Sequence, residues 1–374
     1  MADRLEASPT VPSSARIPEL DGLRGIAILL VLIWHVFPEH VGPGPSWLVR
    51  PWSMLQRFGW TGVDLFFVLS GFLIGGILLD NRGSARYFRT FYTRRAFRIL
   101  PVYLVMLAMF VVLRPLHLPP PVASLFSRRI PFWSYATLTQ NYAMARAREF
   151  GAPWLGPTWS LAIEEQFYLV LPLIVRFVPR RRLWLVLTAA ALLAPVTRLV
   201  LWGTMPAPSM AMYTWTPARA DALMLGVLAA IALRRPDVRE FVAARRRAGF
   251  LILLGLLVVV AAALGDERLD GPRTALFGYS VFALLYTVAL ILAVTAAKDD
   301  IFGRSLRLPA LRWTGGLAYC IYLIHLPVSS VVNLITTATA PHLILTMASI
   351  YLVAWLSSEY FEKPLLRIGH RYRY

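Results

Sequence analysis

Near its amino end the chain carries a long apolar run that is interrupted by a few ionisable residues. Residues 21–38 read DGLRGIAILLVLIWHVFP, close to the length of about 20 apolar residues that a helix needs to cross a bilayer. Nine similar stretches follow, so the candidate transmembrane segments are 21–38, 60–79, 99–115, 159–178, 183–203, 216–233, 249–264, 275–297, 313–334 and 342–361. The sequence therefore predicts an all-α integral membrane protein with about ten transmembrane helices.

The composition supports this class and excludes others. Of 374 residues, 57% are hydrophobic and only 16% are charged, whereas a soluble domain has about 25% charged residues. The net charge of +18 is spread between apolar stretches, while a nucleic-acid-binding protein would cluster it on a soluble face, so no nucleic-acid partner is expected. Cys320 is the single cysteine, which leaves no intramolecular disulfide and no cysteine-based metal cluster; no metal site is expected.

Arginine is concentrated in every second connection between the segments. The basic stretches follow the second, fourth, sixth and eighth segments and recur in the tail. The opposite connections are much poorer in arginine: 39–58, 204–215, 265–274 and 335–341. By the positive-inside rule the basic side and both termini are expected in the cytoplasm, and the protein is expected to be a multi-pass protein of the inner (cytoplasmic) membrane.

The chain divides into a polar amino-terminal cytoplasmic segment (1–18), a transmembrane domain (19–365) and a basic cytoplasmic tail (366–374). Residues 1–18 lack the pattern of a cleaved signal peptide, so the first apolar run is expected to be retained as a helix. On the outer side, the connection 116–158 contains a partly apolar part, 130–145, which fits a re-entrant or interfacial segment as well as a span.

Three ionisable residues lie on one stripe of the first segment. Arg24 and His35 are eleven positions apart, close to three full helical turns, and Asp21 lies one turn before Arg24. An ionisable residue in a membrane helix costs about 2.5–3.5 kcal/mol on insertion scales and is by default a candidate for function. A desolvated, neutral imidazole can take a proton from an alcohol or attack an activated carbonyl. The alternative is a histidine that is satisfied in the core and an arginine that snorkels to the interface.

The fourth segment carries two adjacent carboxylates near its start. Glu164 shares a helix face with Ser160 and Tyr168, whereas Glu165 points about 100° away. Two carboxylates in an apolar helix raise the free energy of inserting that helix into a membrane, so at least one of them is expected to be functional.

Three arginines lie directly before the third segment. Arg94, Arg95 and Arg98 are either charges that set the topology or guanidiniums that bind phosphates in a bidentate manner. Arg94 and Arg98 are four positions apart and face the same way if the helix begins this early.

Further polar groups have both a structural and a functional interpretation. Asp64, in the second segment, is either a charge at a helix start or a functional group. Arg219 and Asp221 are expected near the outer end of the sixth segment, where they would form an interfacial pair. Tyr322 and His325 are spaced to face a shared cavity, although a histidine there equally fits a bridge between helices.

The order of several motifs resembles one known family. The motifs are Arg24 and His35 with ten residues between them, GVDLFFVLSGF (62–72), RRAFRILP (94–101), WSLAIE (159–164), YCIYLIH (319–325) and EKP (362–364). Each motif is weak alone, but their order and spacing together resemble the membrane-bound acyltransferase 3 family over about residues 17–365. Cys320 departs from the family, which often has Ser or another small polar residue there.

This resemblance implies ten core helices and the transfer of an acyl group, often acetyl, to a hydroxyl. The acceptors it implies are sugars of envelope glycans, exported polysaccharides or glycosylated small molecules such as macrolides. It implies acyl-coenzyme A, reached from the cytoplasm, as a co-substrate rather than a permanently bound cofactor.

The resemblance also implies roles for single residues. His35 would be the catalytic histidine with Arg24 as its partner, and Glu164 would belong to the polar core. The donor-binding residues would be Arg94, Arg95 and Arg98, and possible supporting residues are Asp64, Ser70, Tyr168, Tyr322 and His325. Glu164 or Asp64 is hypothesised to orient the imidazole of His35, as a carboxylate does in a triad.

Two other classes of protein compete with an enzyme. A transporter or channel would use the buried Arg, Glu and His as a substrate or ion pathway, but the sequence shows no internal repeat of the kind from which many transporters are built. A structural scaffold leaves the alignment of Arg24 with His35 unexplained.

Overall fold

The computed structural model describes residues 17–37, 46–126, 129–264, 271–337 and 339–374. These residues are helical or lie in connections between helices, and no strand occurs among them. The predicted amino-terminal segment 1–18 lies outside the described residues except for its last two positions.

Ten long helices form the core, and each coincides with one of the ten predicted segments. They are α1 Pro18–Val36, α2 Gly62–Asp80, α3 Tyr87–Leu113, α4 Thr158–Phe177, α5 Arg180–Thr204, α6 Ala220–Ala232, α7 Arg246–Leu264, α8 Tyr279–Val294, α9 Pro309–Val332 and α10 Thr339–Ser357. The predicted all-α class is confirmed.

Shorter helices occupy the connections and the tail. The α-helical ones are Ser46–Arg57, Pro120–Ala123, Phe132–Ala136, Gln140–Ala147, Ser209–Thr214, Pro236–Ala244, Ile301–Leu306 and Lys363–His370. Three are 3₁₀ turns, Gly59–Thr61, Ser124–Phe126 and Pro217–Arg219. Two π-helical turns, Thr274–Gly278 and Ser358–Glu362, precede α8 and follow α10.

Seven helices are long and apolar enough to cross a membrane, which makes this a multi-pass membrane protein. They are the helices at Gly59–Asp80, Tyr87–Leu113, Arg180–Thr204, Arg246–Leu264, Thr274–Val294, Pro309–Val332 and Ala340–His370. The other three core helices are α1, α4 and α6. The first two carry the ionisable residues singled out above, and α6 has only 13 residues. A total of ten spans therefore stays a prediction.

The centre of the bundle is built by close backbone contacts of α1 with α9 and of α2 with α6. A Cβ atom at Gly315 of α9 would lie 1.9 Å from the carbonyl oxygen of Asp21 in α1. A Cβ at Gly71 of α2 would lie 2.0 Å from the carbonyl oxygen of Leu223 in α6. Glycine is the residue that lets membrane helices approach so closely, and α1 is consequently enclosed by its neighbours.

Ion pairs and hydrogen bonds connect the basic connections at one end of the bundle. Arg307, before α9, contacts Glu19 at the start of α1 at 2.5 Å. Arg234, after α6, contacts Asp80 at the end of α2 at 2.8 Å. Arg82, after α2, donates a hydrogen bond to the Val178 carbonyl after α4. These contacts agree with the predicted alternation of the segments, while the assignment of this end and of both termini to the cytoplasm stays a prediction.

The structure decides one alternative that the sequence left open and corrects one helix boundary. Residues 130–145 do not form a span, because they lie in helices of five and eight residues, Phe132–Ala136 and Gln140–Ala147, and a span needs about 20 residues. Gln140 of this segment is buried and donates a hydrogen bond to the Thr158 carbonyl at the start of α4. The third helix begins at Tyr87 rather than near residue 99, which places the arginine motif inside α3.

Candidate functional site

The ends of the polar stripe on α1 contact neighbouring helices rather than lipid alone. Arg24 is half-buried, and its Nη1 lies 3.4 Å from Oδ1 of Asp21. Arg95 and Arg98 of α3 and Tyr168 of α4 are close enough to act on the charge of Arg24. At the other end of the stripe, the ring of His35 packs against the ring of His325 in α9 with 4.9 Å between their centroids.

The two imidazoles are oriented by their own helices. Nδ1 of His35 lies 3.0 Å from the Val31 carbonyl oxygen, and Nδ1 of His325 lies 2.8 Å from the Tyr322 carbonyl oxygen. Because a carbonyl oxygen only accepts, each Nδ1 carries the hydrogen and each Nε2 carries a lone pair in the neutral ring. His325 is fully buried, and within the described residues its Nε2 has no hydrogen-bond partner. His35, in contrast, is exposed on the surface of the bundle.

A line of hydroxyl groups leads from His325 to α4. The ring of Tyr322 lies 6.0 Å from that of His325, and its hydroxyl is 2.6 Å from the Ser160 hydroxyl. One turn along α4, Glu164 lies beside Ser70 of α2. The Ser70 hydroxyl is in turn hydrogen-bonded to that of Tyr168. The predicted shared face of Ser160, Glu164 and Tyr168 is confirmed by these contacts.

Arginine side chains surround this carboxylate. Arg95, Arg24 and Arg98 are close enough to Glu164 for their charges to act on it, and the guanidinium of Arg95 lies 5.9 Å from the ring centroid of Tyr168. The predicted residues on α1, α3 and α4 therefore converge on one polar cluster, which we call the arginine cluster: Arg24, Arg95, Arg98 and Glu164.

Arg94 does not belong to the arginine cluster, because the carboxyl-terminal tail binds it. Its Nε donates a 2.8 Å hydrogen bond to the Tyr372 carbonyl, and its guanidinium lies 5.4 Å from the ring centroid of Tyr374. Since α3 begins at Tyr87, Arg94 and Arg98 lie on one helix, and the assignment of Arg94 to donor binding stays a prediction. A neighbouring residue of α3, Thr90, donates a hydrogen bond to the Arg373 carbonyl, so the tail is fastened at two points.

The hypothesis that Glu164 or Asp64 orients His35 is not supported. Asp64 forms a buried ion pair with Arg219, whose guanidinium lies 4.1 Å from the ring centroid of Tyr279. A carboxylate inside the bundle needs a cation close by, and Arg219 supplies it. The ring of His35 is held by the backbone instead.

A second buried ion pair was not predicted from the sequence. Arg198 of α5 is completely buried and contacts Asp221 at 3.0 Å, and Ser280 donates a 2.7 Å hydrogen bond to the same carboxylate. Arg219 and Asp221 therefore do not form the expected interfacial pair, since each has its partner on another helix. The signal in the sequence was a single arginine in the middle of an apolar helix.

The geometry offers a proton acceptor and cations but no preformed metal site. In the parts of the chain that the structure describes, no three His, Cys, Asp or Glu side chains lie close enough to hold a metal ion. The lone pair on Nε2 of His35 can accept a proton, and guanidinium groups are suited to bind phosphate.

Comparison with known proteins identifies relatives over most of this length. A family model described as an acyltransferase domain matches residues 17–359. The peptidoglycan O-acetyltransferase OatA of Listeria monocytogenes is 27% identical over 369 residues, which cover 94% of this chain and 56% of that protein. YrhL of Bacillus subtilis is 31% identical, covering 95% of this chain and 56% of its own length. The O-acetyltransferase OatA of Staphylococcus aureus is 26% identical, covering 85% and 51%.

The chain spans about half the length of these curated relatives. No solved structure is significantly similar to it. The family model nevertheless covers almost the whole sequence, from the start of α1 to the end of α10. The chain therefore belongs to the membrane-bound acyltransferase 3 family, as its motifs indicated.

Proposed function

We propose that this protein is an O-acyltransferase that moves an acyl group, most simply acetyl, onto a hydroxyl of a cell-envelope glycan. All three of these relatives carry O-acetyltransferase names, and two of the names include peptidoglycan. The observation that carries the proposal is the position of His35: the residue is exposed, its Nδ1 is held by the Val31 carbonyl, and it lies on the same helix as Arg24 of the arginine cluster.

The reaction needs one base and one anion-binding surface. His35 removes the proton of the acceptor hydroxyl through Nε2, and the hydroxyl oxygen attacks the acyl carbon of a thioester. The new C–O bond forms as the C–S bond breaks, and the thiolate takes up the proton. A transient acyl group on Nε2 of His35, passed on to the hydroxyl in a second step, gives the same balance.

The proposed donor is acyl-coenzyme A, which approaches from the basic end of the bundle and is consumed as a co-substrate. Its phosphates are anions that guanidinium groups bind well, and Arg95 and Arg98 are close enough to Arg24 for their charges to act on it. The acceptor glycan enters from the opposite end, where His35 lies near the last residue of α1. On this proposal the protein lies in the cytoplasmic membrane, and the donor and the acceptor reach it from different sides.

The test is acyl transfer by the purified protein in lipid nanodiscs, with acetyl-coenzyme A and a glycan fragment. The wild type is expected to release coenzyme A only when the acceptor is present, whereas a transporter would not consume the thioester. Removing a general base typically costs about 10²- to 10⁴-fold in rate, so His35→Ala should lose at least about 100-fold.

A control variant separates this effect from damage to the fold. His117 lies in the connection after α3 and is exposed, so His117→Ala should keep the wild-type rate. A well-folded His35→Ala protein that turns over at the wild-type rate would show that the assignment of His35 is wrong.

Arg98→Ala is expected to raise KM for the thioester more than it lowers kcat, because Arg98 would bind the donor rather than react.

A further inference from the structure

The strongest unexplained feature of the bundle is the free lone pair of His325. Its Nε2 is buried and has no hydrogen-bond partner within the described residues, although Nδ1 is bonded to the Tyr322 carbonyl. A buried polar atom without a partner costs roughly 1–3 kcal/mol, and such an atom calls for an explanation.

The neighbour of this lone pair is the proposed base. His35 is the ring that packs against His325, with 4.9 Å between centroids and 53° between ring planes. Nδ1 of His325 faces its own helix, so Nε2, on the far edge of the ring, lies on the side away from it. In the neutral state His35 also presents a lone pair at Nε2 and cannot donate there.

This relation changes when His35 takes up a proton. An imidazolium ion is positively charged and donates through both nitrogens. The lone pair of His325 then has a positively charged ring beside it, 4.9 Å away between centroids. Among the two protonation states of His35, the protonated one is therefore the state that offers the His325 lone pair a favourable interaction. An interaction that is stronger during the reaction than in the resting enzyme accelerates that reaction.

We propose that His325 is a positioning residue of the acyl-transfer site, which holds the proton on His35 through its own Nε2 lone pair after the acceptor hydroxyl has been deprotonated. This inference rests on the proposed function. The proton follows the same path as in the transfer itself. It moves from the acceptor hydroxyl to Nε2 of His35, is stabilised there by His325, and leaves with the thiol.

The other titratable groups around His325 do not replace this role. Tyr322 is engaged with Ser160 and with the Pro157 carbonyl. His342 of α10 packs on the same helix but faces Ser329. For His325, the nearby ionisable group from another helix is His35.

The experiment measures the pH dependence of kcat for the wild type, His325→Phe and His325→Gln in nanodiscs. Phe keeps a ring in the space but has no lone pair. Loss of the lone pair should lower the plateau value of kcat about 10- to 100-fold, as expected for the loss of a hydrogen bond to a charged group. Because protonated His35 is then less favoured, the acidic limb of the profile should move to lower pH by about one unit. Gln restores an acceptor oxygen and should recover part of both effects.

The controls make the outcomes distinguishable. His342→Phe changes a histidine that does not face His35, and it should leave both plateau and limb unchanged. A folded His325→Phe protein with the wild-type limb would overturn the inference, whether or not its rate falls, because a purely structural role lowers the rate without moving the limb. Failure of the proposed function would be seen separately, as an absence of acceptor-dependent thioester cleavage in the wild type or as full activity in His35→Ala.

Discussion

Arg219 shows how single residues stabilise the interior of this bundle. Its guanidinium is completely buried, forms an ion pair with Asp64 and lies 4.1 Å from the ring centroid of Tyr279. Nε and Nη1 of Arg219 have no hydrogen-bond partner within the described ranges, so the Asp64 carboxylate and the rings of Tyr213 and Tyr279 are its main compensation. The pair therefore depends on both partners being present.

Removing one partner of this buried ion pair should lower the stability of the protein far more than removing one partner of an exposed ion pair. Asp64→Asn leaves a buried uncompensated cation and is expected to lower the free energy of unfolding by about 3–5 kcal/mol. The exposed pair of Asp237 with Arg235 provides the control, and Asp237→Asn should leave the stability almost unchanged, because solvent screens an exposed pair. Thermal unfolding in detergent measures both. Equal melting temperatures for the two variants would contradict the importance of the buried pair.

At this scale the sequence predicted positions better than partners. Arg24 and His35 could be placed on one face because their separation is close to a whole number of helical turns. The partner of Asp64 could not be predicted, since it lies 155 positions away on another helix. Periodicity describes one helix, whereas an ion pair between helices depends on which of them are neighbours.

Among the helices, the contact of α1 with α9 determines where the two histidines meet. The backbone of Gly315 touches that of Asp21, so that α9 brings His325 against His35 on α1. The adjacent Gly316 has no atom within 4 Å of the position that a Cβ would take. These two neighbouring glycines form a matched pair for experiment.

Gly315→Ala should separate α1 from α9, because a methyl group cannot lie 1.9 Å from a carbonyl oxygen. We expect a loss of stability of about 1–3 kcal/mol, typical of overpacking, and a loss of acyl transfer. Gly316→Ala should be neutral or stabilise the helix by up to about 1 kcal/mol. Melting temperature and turnover measure both variants, and an equal response of the two would refute the close contact.

The existence of the helices was predictable, but one important boundary was not. Ten apolar runs predicted the ten core helices. The arginines before residue 99 suggested a loop, although residues 87–100 contain neither Gly nor Pro. Long arginine side chains can extend to the interface from inside a helix, so charge alone does not end a helix at a membrane surface.

For the molecule as a whole, the arrangement across the membrane is testable with its single cysteine. Cys320 is buried, so a Cys320→Ser background can carry single new cysteines. Arg239→Cys lies at the basic end and Pro206→Cys lies in the connection after α5, and both positions are exposed. An impermeant maleimide should label Pro206→Cys in right-side-out vesicles and Arg239→Cys only in inside-out vesicles. The reverse pattern would invert the predicted orientation.

The whole-molecule interpretation succeeded where it rested on charge and hydropathy. Alternating basic connections predicted the end at which Arg234 and Arg307 form ion pairs. The attachment of the tail to Arg94 was beyond such reasoning, because it depends on a hydrogen bond to the main chain of Tyr372. Main-chain contacts leave no signature in side-chain composition.

The enclosure of α1 between other helices has a consequence for how the protein is made. Asp21 and Arg24 each cost about 2.5–3.5 kcal/mol in lipid, yet α1 leaves the ribosome long before α9 exists to cover it. We therefore expect α1 to be poorly retained in the membrane by itself until α9, which begins at residue 309 of 374, has been made. Chains truncated before α9 are expected to leave the first helix without this cover.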